Sequence, residues 1–421
     1  MTVDTGDVIL IGDEIMLYNF TESKKQNILN LVQSFDIFES LNNYTVSADF
    51  YISEGVELVN NFPIAGEEWI ELSIQTPSRK VISYKFFIES MTNVKSSDGA
   101  GGMKGYVLRG VTEDYLTNAY RVYSKRYEDK TYDEAITEVI NVDLGGGELK
   151  TTELTEGKFD YIVNNVRPFQ TVDLICERAV SAEGNKSSVF FFYEDNEGYH
   201  FTTLEKLIKD RLPAAKNLVF SYDTASRAEE YHKLVNIRNI ISYETLSQGS
   251  SVEKIKSGNM YTQIREFNIL TGEYYDKQEY INPSDHRSYT PTDSNEDHNS
   301  DAYNARVTEM PGVTRMVVKD GLRPEMKHNE NIHWKRPFKD KLLQSGVRIR
   351  VYGDTEIRVG DVIQLDIPEI SGAENIKNQE YYSGNYIISE MKHRLDKKPT
   401  GGFEHYMVFD LRKPNMLKAI P

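Results

Sequence analysis

The chain has 421 residues, 39% of them hydrophobic, which is longer than a typical domain of roughly 100–200 residues and predicts two to four globular domains. Its formal net charge is −16, and no basic stripe is visible of the kind that binds duplex nucleic acid by releasing phosphate counterions. A single cysteine, Cys176, excludes an intramolecular disulfide framework, and the absence of an 18-residue apolar run predicts no membrane span or anchor.

"MTVDTGDVIL" lacks the basic region of a signal peptide, so the expectation is a soluble protein made in a reducing cytoplasm. Cys176, in the apolar-periodic "VDLICERAV", reads as a buried, inert thiol. The 27 tyrosines and 18 phenylalanines favour strands and large interfaces.

Residues 1–111 read as β-rich. "ILNLVQSFDIFESL" (28–41) fits helix or strand, whereas "YTVSADFYI" (44–52), "EEWIELSI" (67–74), "SYKFFIESMTNV" (83–94) and "KGYVLRGV" (104–111) are strand-like. "KSSDGAGGMKG" between the last two is a loop. From Thr112 the period turns helical in "TEDYLTNAYRVYSKRYEDK". "TYDEAITEVINVDL" follows, with Thr131 and Glu134 at capping-box spacing and "GGGELK" (145–150) ending it. "RPFQTVDLICERAVSAEG" predicts a third helix, with Pro168 near its start and Gly184 past its end. "SSVFFFYED" and "GYHFTTL" predict a hairpin around Asn196-Glu197-Gly198, and "TLEKLIKDRL" a short helix. "GNMYTQIREFNIL" and "EYYDKQEYI" read as strands turning at Thr271-Gly272. The polar 282–304 reads as an exposed loop or partly disordered insertion. "RPFKDKLLQS" (336–345) predicts a helix, and strands return in "GVRIRVYGDTEIRVGDVIQLDI", "GNYIISEMKHRL" and "EHYMVFDLRK". "IRVGDVIQLDIPEI" (357–370) alone has the look of an exposed strand, with a turn or kink at Gly360-Asp361.

The two β-rich ends overlay. "GEEWIEL" (66–72) matches "GDVIQL" (360–365) with one residue of difference, placing Gly66 against Gly360. "YKFFIESM" (84–91) matches "GNYIISEM" (384–391), placing Ile88 on Ile388 and Met91 on Met391. "KGYVLRG" (104–110) matches "EHYMVFD" (404–410), placing Tyr106 on Tyr406, and isoleucine to tyrosine spans 18 residues in both copies. Short amphipathic strands can match by chance, but three in one order with a matching interval point to duplication. The long period is not that of a solenoid.

In sequence, "RVGDVIQLDIP", "YYSGNYIISEMKHRL" and "EHYMVFDLRK" resemble the closing strand set of contractile-tail hub proteins. These are the baseplate hub of T-even-like myophages, the late-control hub of other phages, and the hub half of type VI secretion spike proteins. The positions carrying the likeness are Gly360, Asp361, Gly384, Tyr386, Ile388, His393, Tyr406 and Phe409. The start, "IFESLNNYTVSADFYISEGVELVNNFPIAGEEWIELSI", resembles the hub opening, and "TVDLICERAVSAEGNKSSVFFFYEDNEGYHF" resembles its helix-plus-hairpin. The likeness covers most of 28–210 and 335–412 and departs at 282–330. It implies an α+β, mainly β chain in which two tube-like antiparallel β-barrel modules flank an α+β middle domain, with a loop-rich insertion. On the sequence the bounds are 1–111 for the first module, 112–218 for the middle domain, 219–281 with 335–421 for the second module, and 282–334 for the insertion.

For function, the resemblance implies a homotrimeric baseplate hub whose six tube-like units meet a sixfold tail tube while the opposite face seats a threefold central spike. Duplication inside each chain would reconcile the two symmetries. Implied partners are the spike, the tail tube protein, and baseplate wedge and tape-measure proteins. DNA would pass through the channel without specific binding. The implied place is the virion tail baseplate, after assembly in the host cytoplasm.

No catalytic, cofactor or metal residues are assigned. "DGAGGMKG" (98–105) lacks Gly-Lys-Ser/Thr and precedes a strand, so it reads as a hairpin loop. His328 and His333, and His286 and His298 among acids, fit no zinc spacing, and "DSNEDHNSD" lacks the glycine and final glutamate of a calcium loop. His393 and His405 lie in adjacent predicted strands and could approach one another, with no serine or cysteine partner, which favours a structural or interfacial role. Two other classes stay open: a tail-associated polysaccharide-degrading enzyme, since no carboxylate pair is excluded by count, and a receptor-binding module. Neither needs a duplicated module around a helical middle domain.

Overall fold

Alternating apolar and polar residues build the N-terminal strands of the computed structural model. These are β1 (Asp7–Leu10), β2 (Met16–Tyr18), β3 (Lys25–Asn27), β4 (Val32–Ser40), β5 (Ser47–Glu54), β6 (Trp69–Gln75), β7 (Val81–Ser96) and β8 (Lys104–Val111). Residues 6–55, 58, 62, 64–78, 80–96, 104–183, 189–222, 237–247, 261–268, 272, 274–280, 313–319, 346–367 and 382–413 are described. Burial along β5 alternates without a break, as a strand with one face on a core requires. The ambiguous 28–41 segment resolves as strand β4.

The middle of the chain holds α1 (Glu113–Tyr120), β9 (Tyr123–Lys130), α2 (Tyr132–Glu138), β10 (Leu149–Thr152), β11 (Phe159–Val166) and α3 (Pro168–Arg178). β12 (Phe190–Asp195), β13 (Gly198–Thr203) and α4 (Leu204–Ala215) complete it. Thr131 and Glu134 form the capping box of α2, and a wider helical turn over Val139–Leu144 ends at Gly145, which has a left-handed φ of 108°. β12 and β13 pair so that Asp195 faces Gly198, making the expected hairpin.

Two helix readings are corrected here. The helix expected from Thr112 stops at Tyr120, and "YSKRYEDK" is strand β9, paired antiparallel with β11. Tyr123 and Tyr127 are four apart, which suits a helix face, but they are also two steps of a strand face, and pairing with β11 decides the matter. The third helix ends at Arg178, with Ala179 extended, well before Gly184.

The C-terminal strands are β14 (Val219–Ser221), β15 (Ser242–Ser247), β16 (Tyr261–Asn268), β17 (Tyr274–Tyr280), β18 (Val313–Lys319), β19 (Gly346–Tyr352), β20 (Val362–Asp366), β21 (Gly384–Lys397) and β22 (Phe403–Arg412). β18 falls inside the segment expected to be loop-rich and pairs parallel with β16, in a separate sheet with β17. The expected loop at 282–304 and helix at 336–345 lie outside the described residues. Of 357–370, residues 357–367 are described, and among these 362–366 is strand. Ile357, Val359, Val362, Ile363, Leu365 and Ile367 are all buried, so the apolar positions face a core rather than solvent.

The chain is mainly β, organised by one large mixed sheet in the order β14-β20-β21-β4-β5-β8-β7-β6-β1-β22-β19-β15, with β14 and β20 parallel. β21 also pairs with β22, so the run from β21 through β4 and β1 to β22 returns on itself. Inside that run lies a core of Phe35, Phe50, Ile70, Phe86, Leu395 and Phe403, among others. A second core, including Phe220, Val347, Ile363, Ile388 and Phe409, is covered by β14 and β19–β22. The middle segment has its own core around Tyr127, Ile136, Phe169 and Phe201. It is joined to the large sheet by a cluster in which Leu207 and Ile208 of α4 meet Leu41, Val359, Val362 and Ile387.

Candidate assembly interface

Gly66 and Gly360 both have left-handed φ, +98° and +84°, in the turns that feed β6 and β20. A carboxylate caps each turn: Glu68 accepts from the backbone of Ala65 and Gly66, and Asp361 accepts from the backbone of Arg358. The Ile88 amide donates to Glu68 O at 2.8 Å, and the Ile388 amide to Asp361 O at 2.9 Å. Directly after each isoleucine the strand takes a β-bulge against its neighbour. Both isoleucines are buried, each contributing roughly 2–3 kcal/mol of apolar transfer.

The likeness extends to whole sheets. The order β6-β7-β8-β5-β4 has its counterpart in β20-β21-β22-β19-β15. One transverse row runs Ile88, Gly110, Ala48, Ile37, and the other runs Ile388, Leu411, Val347, Thr245. The register corrects one overlay. Met91 faces Leu108 and Met391 faces Phe409, so Tyr106 corresponds to Met407, while Tyr406 points to the opposite face. Tyr106 and Met407 are both buried, and Tyr406 lies half-exposed, stacked on Tyr352 with Arg350 above its ring. Met91 and Met391 share a register position but differ in environment, 37% exposed against 2%.

The two repeats meet on β21 and β22. β4 pairs with β21 over Glu390–Asp396 and β1 with β22 at Phe403 and Glu404. Along β21, Met391 belongs to the second core and Leu395 to the first; along β22, Met407 belongs to the second and Phe403 to the first. His393 and His405 sit between them, fully buried, with Nδ1 of His393 3.0 Å from Nε2 of His405. Burial pushes the His393 imidazole down to about 4, and burial and the neighbouring ring push His405 well below its usual value. Gly353 leaves no room for a side chain there, since a Cβ would fall 1.9 Å from His405 Nδ1. Thr76 and Thr355 hydroxyls, 2.9 Å apart, join the repeats nearby.

The tip of the β12–β13 hairpin closes a third contact. Glu194 Oε2 accepts from the Val46 amide of the first repeat and from the hydroxyl of Thr112, where the middle segment begins. Glu197 pairs with Lys80 of the first repeat and Arg358 of the second. Arg211 of α4 pairs with Asp361 at 3.0 Å. Burial, with the charge of Asp195, raises Glu39 to about 8, and burial, despite the Val46 amide, raises Glu194 to about 8. The sequence placed the hairpin tip but not the contacts of Arg358 and Arg211, because their partners Glu197 and Asp361 lie more than a hundred residues away.

Elsewhere, Cys176 packs half-buried against the middle core. Among the described residues no group of three or more His, Cys, Asp or Glu could hold a metal ion. His286, His298, His328 and His333, and most of 98–105, lie outside the described residues.

No family model matches the chain. It is 23% identical over 388 residues, 88% of either chain, to "Probable baseplate hub protein gp334" of Vibrio phage KVP40. In fold it is similar to the tail protein from Neisseria meningitidis MC58, with 12% identity, TM-score 0.53 and coverage of 95% of this chain and 96% of that one. It is likewise similar to the prophage MuSo2 43 kDa tail protein from Shewanella oneidensis, with 10% identity, TM-score 0.53 and coverage of 96% and 99%. Along most of its length, this chain resembles the baseplate hub proteins of contractile-tailed phages.

Proposed function

We propose that the protein is a structural baseplate hub that assembles as a homotrimer, joins a threefold central spike to a sixfold tail tube, and forms part of the channel through which the genome passes. The observation that supports this most is the repeated five-strand sheet with matching glycine turn, bulge and transverse row. Two equivalent units per chain give six per trimer, which removes the symmetry mismatch that would leave contacts unsatisfied. In this reading the two repeats are tube-like β-barrel modules, the first near 1–111 and the second built from 219–281 and 335–421. The middle domain, near 112–218, braces them through the β12–β13 tip. Spike, tube, wedge and tape-measure proteins are its partners, and the virion baseplate is its place. Light scattering on the protein, alone and with its spike, tests this. A mass of three chains, with a threefold ring in electron micrographs, is expected. A stable monomer under both conditions overturns it.

A further inference from the structure

The repeat leaves two strand edges without a strand partner among the described residues. β7 pairs with β6 over Val81–Phe87 and with β8 over Phe87–Ser96, but beyond its first bulge, over 90–96, its other edge carries no strand among the described residues. β15 pairs only with β19. Exposed edges of this kind template further pairing.

Inside the chain the counterparts of these two edges are joined to each other. β21 corresponds to β7, and beyond its bulge it receives β4 antiparallel over Glu390–Asp396. β4 in turn corresponds to β15, since both flank the fourth strands of their sheets, β5 and β19, in the same register. The acceptor edge of the first repeat and the donor edge of the second are therefore open versions of a contact the molecule already makes.

Resting on the reading that the chains form a ring, we propose that β15 of one copy adds antiparallel to the 90–96 edge of β7 in the next, as β4 adds to β21 within each chain. The internal register carries over as far as Thr92. His393 faces Ile37, and Ile37 corresponds to Thr245; on β7 a second bulge between Thr92 and Lys95, which β21 lacks, puts Asn93 and Val94 at that level, so Thr245 faces this bulge. Met91 supplies a second, independent sign. It is 37% exposed, whereas Met391, whose strand is covered by β4, is 2% exposed, as expected for an apolar position awaiting a neighbouring strand. Each chain carries one donor and one acceptor edge. The contact is head-to-tail, and such contacts close into rings when the rotation permits. Main-chain hydrogen bonds would supply the affinity.

A disulfide tests the register, because directly opposed residues in antiparallel strands have Cα atoms about 4.5–5.5 Å apart, within disulfide range. Of the full-chain double variants Asn93→Cys/Thr245→Cys and Val94→Cys/Thr245→Cys, one on each residue of the bulge, one should give covalent dimers and trimers under mild oxidation, and none of the single variants should. Met91→Asp should yield folded monomers with an unchanged melting temperature, since the side chain is already exposed in the free chain. A wild-type protein that is trimeric by light scattering, with no link from 93 or 94 to 245, overturns this contact and leaves the hub reading intact. Monomers in the wild type, with and without spike, and no link, overturn both. A Met91→Asp protein that still assembles also overturns the contact.

Discussion

His393 and His405 touch through ring nitrogens 3.0 Å apart, between core residues Met391 and Met407 on one side and Leu395 and Phe403 on the other. The strands on either side pass from one core to the other, so this pair sits in the joint between the repeats. Both imidazoles are held neutral by burial.

Acid should loosen this joint. Both histidines titrate below their unfolded value of 6.5, so the unfolded chain takes up protons first. Their contribution is fully present above pH 6.5 and is lost as pH falls from 6.5 toward about 4. Thermal melts across that window should fall more steeply for wild type than for His393→Gln/His405→Gln. Parallel curves would show that the pair does not titrate on unfolding.

Alkali acts on two carboxylates, Glu39 of β4 and Glu194 of β12. Glu39 and Glu194 are raised to about 8, so the folded state keeps protons that the unfolded state releases. Their stability falls as pH rises from 4.5, and the loss is complete above about 8. Glu39→Gln should therefore melt close to wild type at pH 5 and above it at pH 9. A variant that gains nothing at pH 9 would show that Glu39 is ionised at neutral pH.

The buried isoleucines can be tested directly. Ile88→Asp and Ile388→Asp each place an uncompensated charge in a core and should cost about 3 kcal/mol or more. Chemical denaturation measures this, and midpoints within experimental error of wild type would show that the strand faces are misassigned.

The two turn glycines should differ. Gly66→Ala meets only backbone strain, because the nearest atom to a new Cβ is 3.9 Å away, and should cost about 1 kcal/mol. Gly360→Ala adds crowding by the Tyr193 hydroxyl at 3.1 Å and Leu207 at 3.2 Å, and should cost more. Equal losses would mean that the contact with the middle segment gives way freely.

With a net charge of −16, the assembled protein should not bind duplex DNA at about 0.15 M salt, and channel-facing residues should be mainly acidic or neutral-polar. A gel shift with micromolar affinity would reopen a nucleic-acid-binding role.

Strand placement was legible in the sequence wherever apolar alternation was long. β5, β6, β7 and β21 stand where their patterns put them, because a strand with one face on a core must alternate. Gly66 and Gly360, and Ile88 and Ile388, were picked out as matching letters in the same order at both ends of the chain. The tyrosine overlay failed because letters match independently of register, and the pairing of Met91 with Leu108 but Met391 with Phe409 places Tyr406 on the opposite face. The equivalence of β4 and β15 was invisible, since "VQSFDIFES" and "SYETLS" share no pattern. Their likeness lies in what they pair with. The sequence put His393 and His405 on neighbouring strands. Only tertiary packing made them the joint between two cores, and only distant chain segments brought Arg358, Glu197 and Lys80 together, because contacts between residues far apart in sequence leave no local periodicity to read.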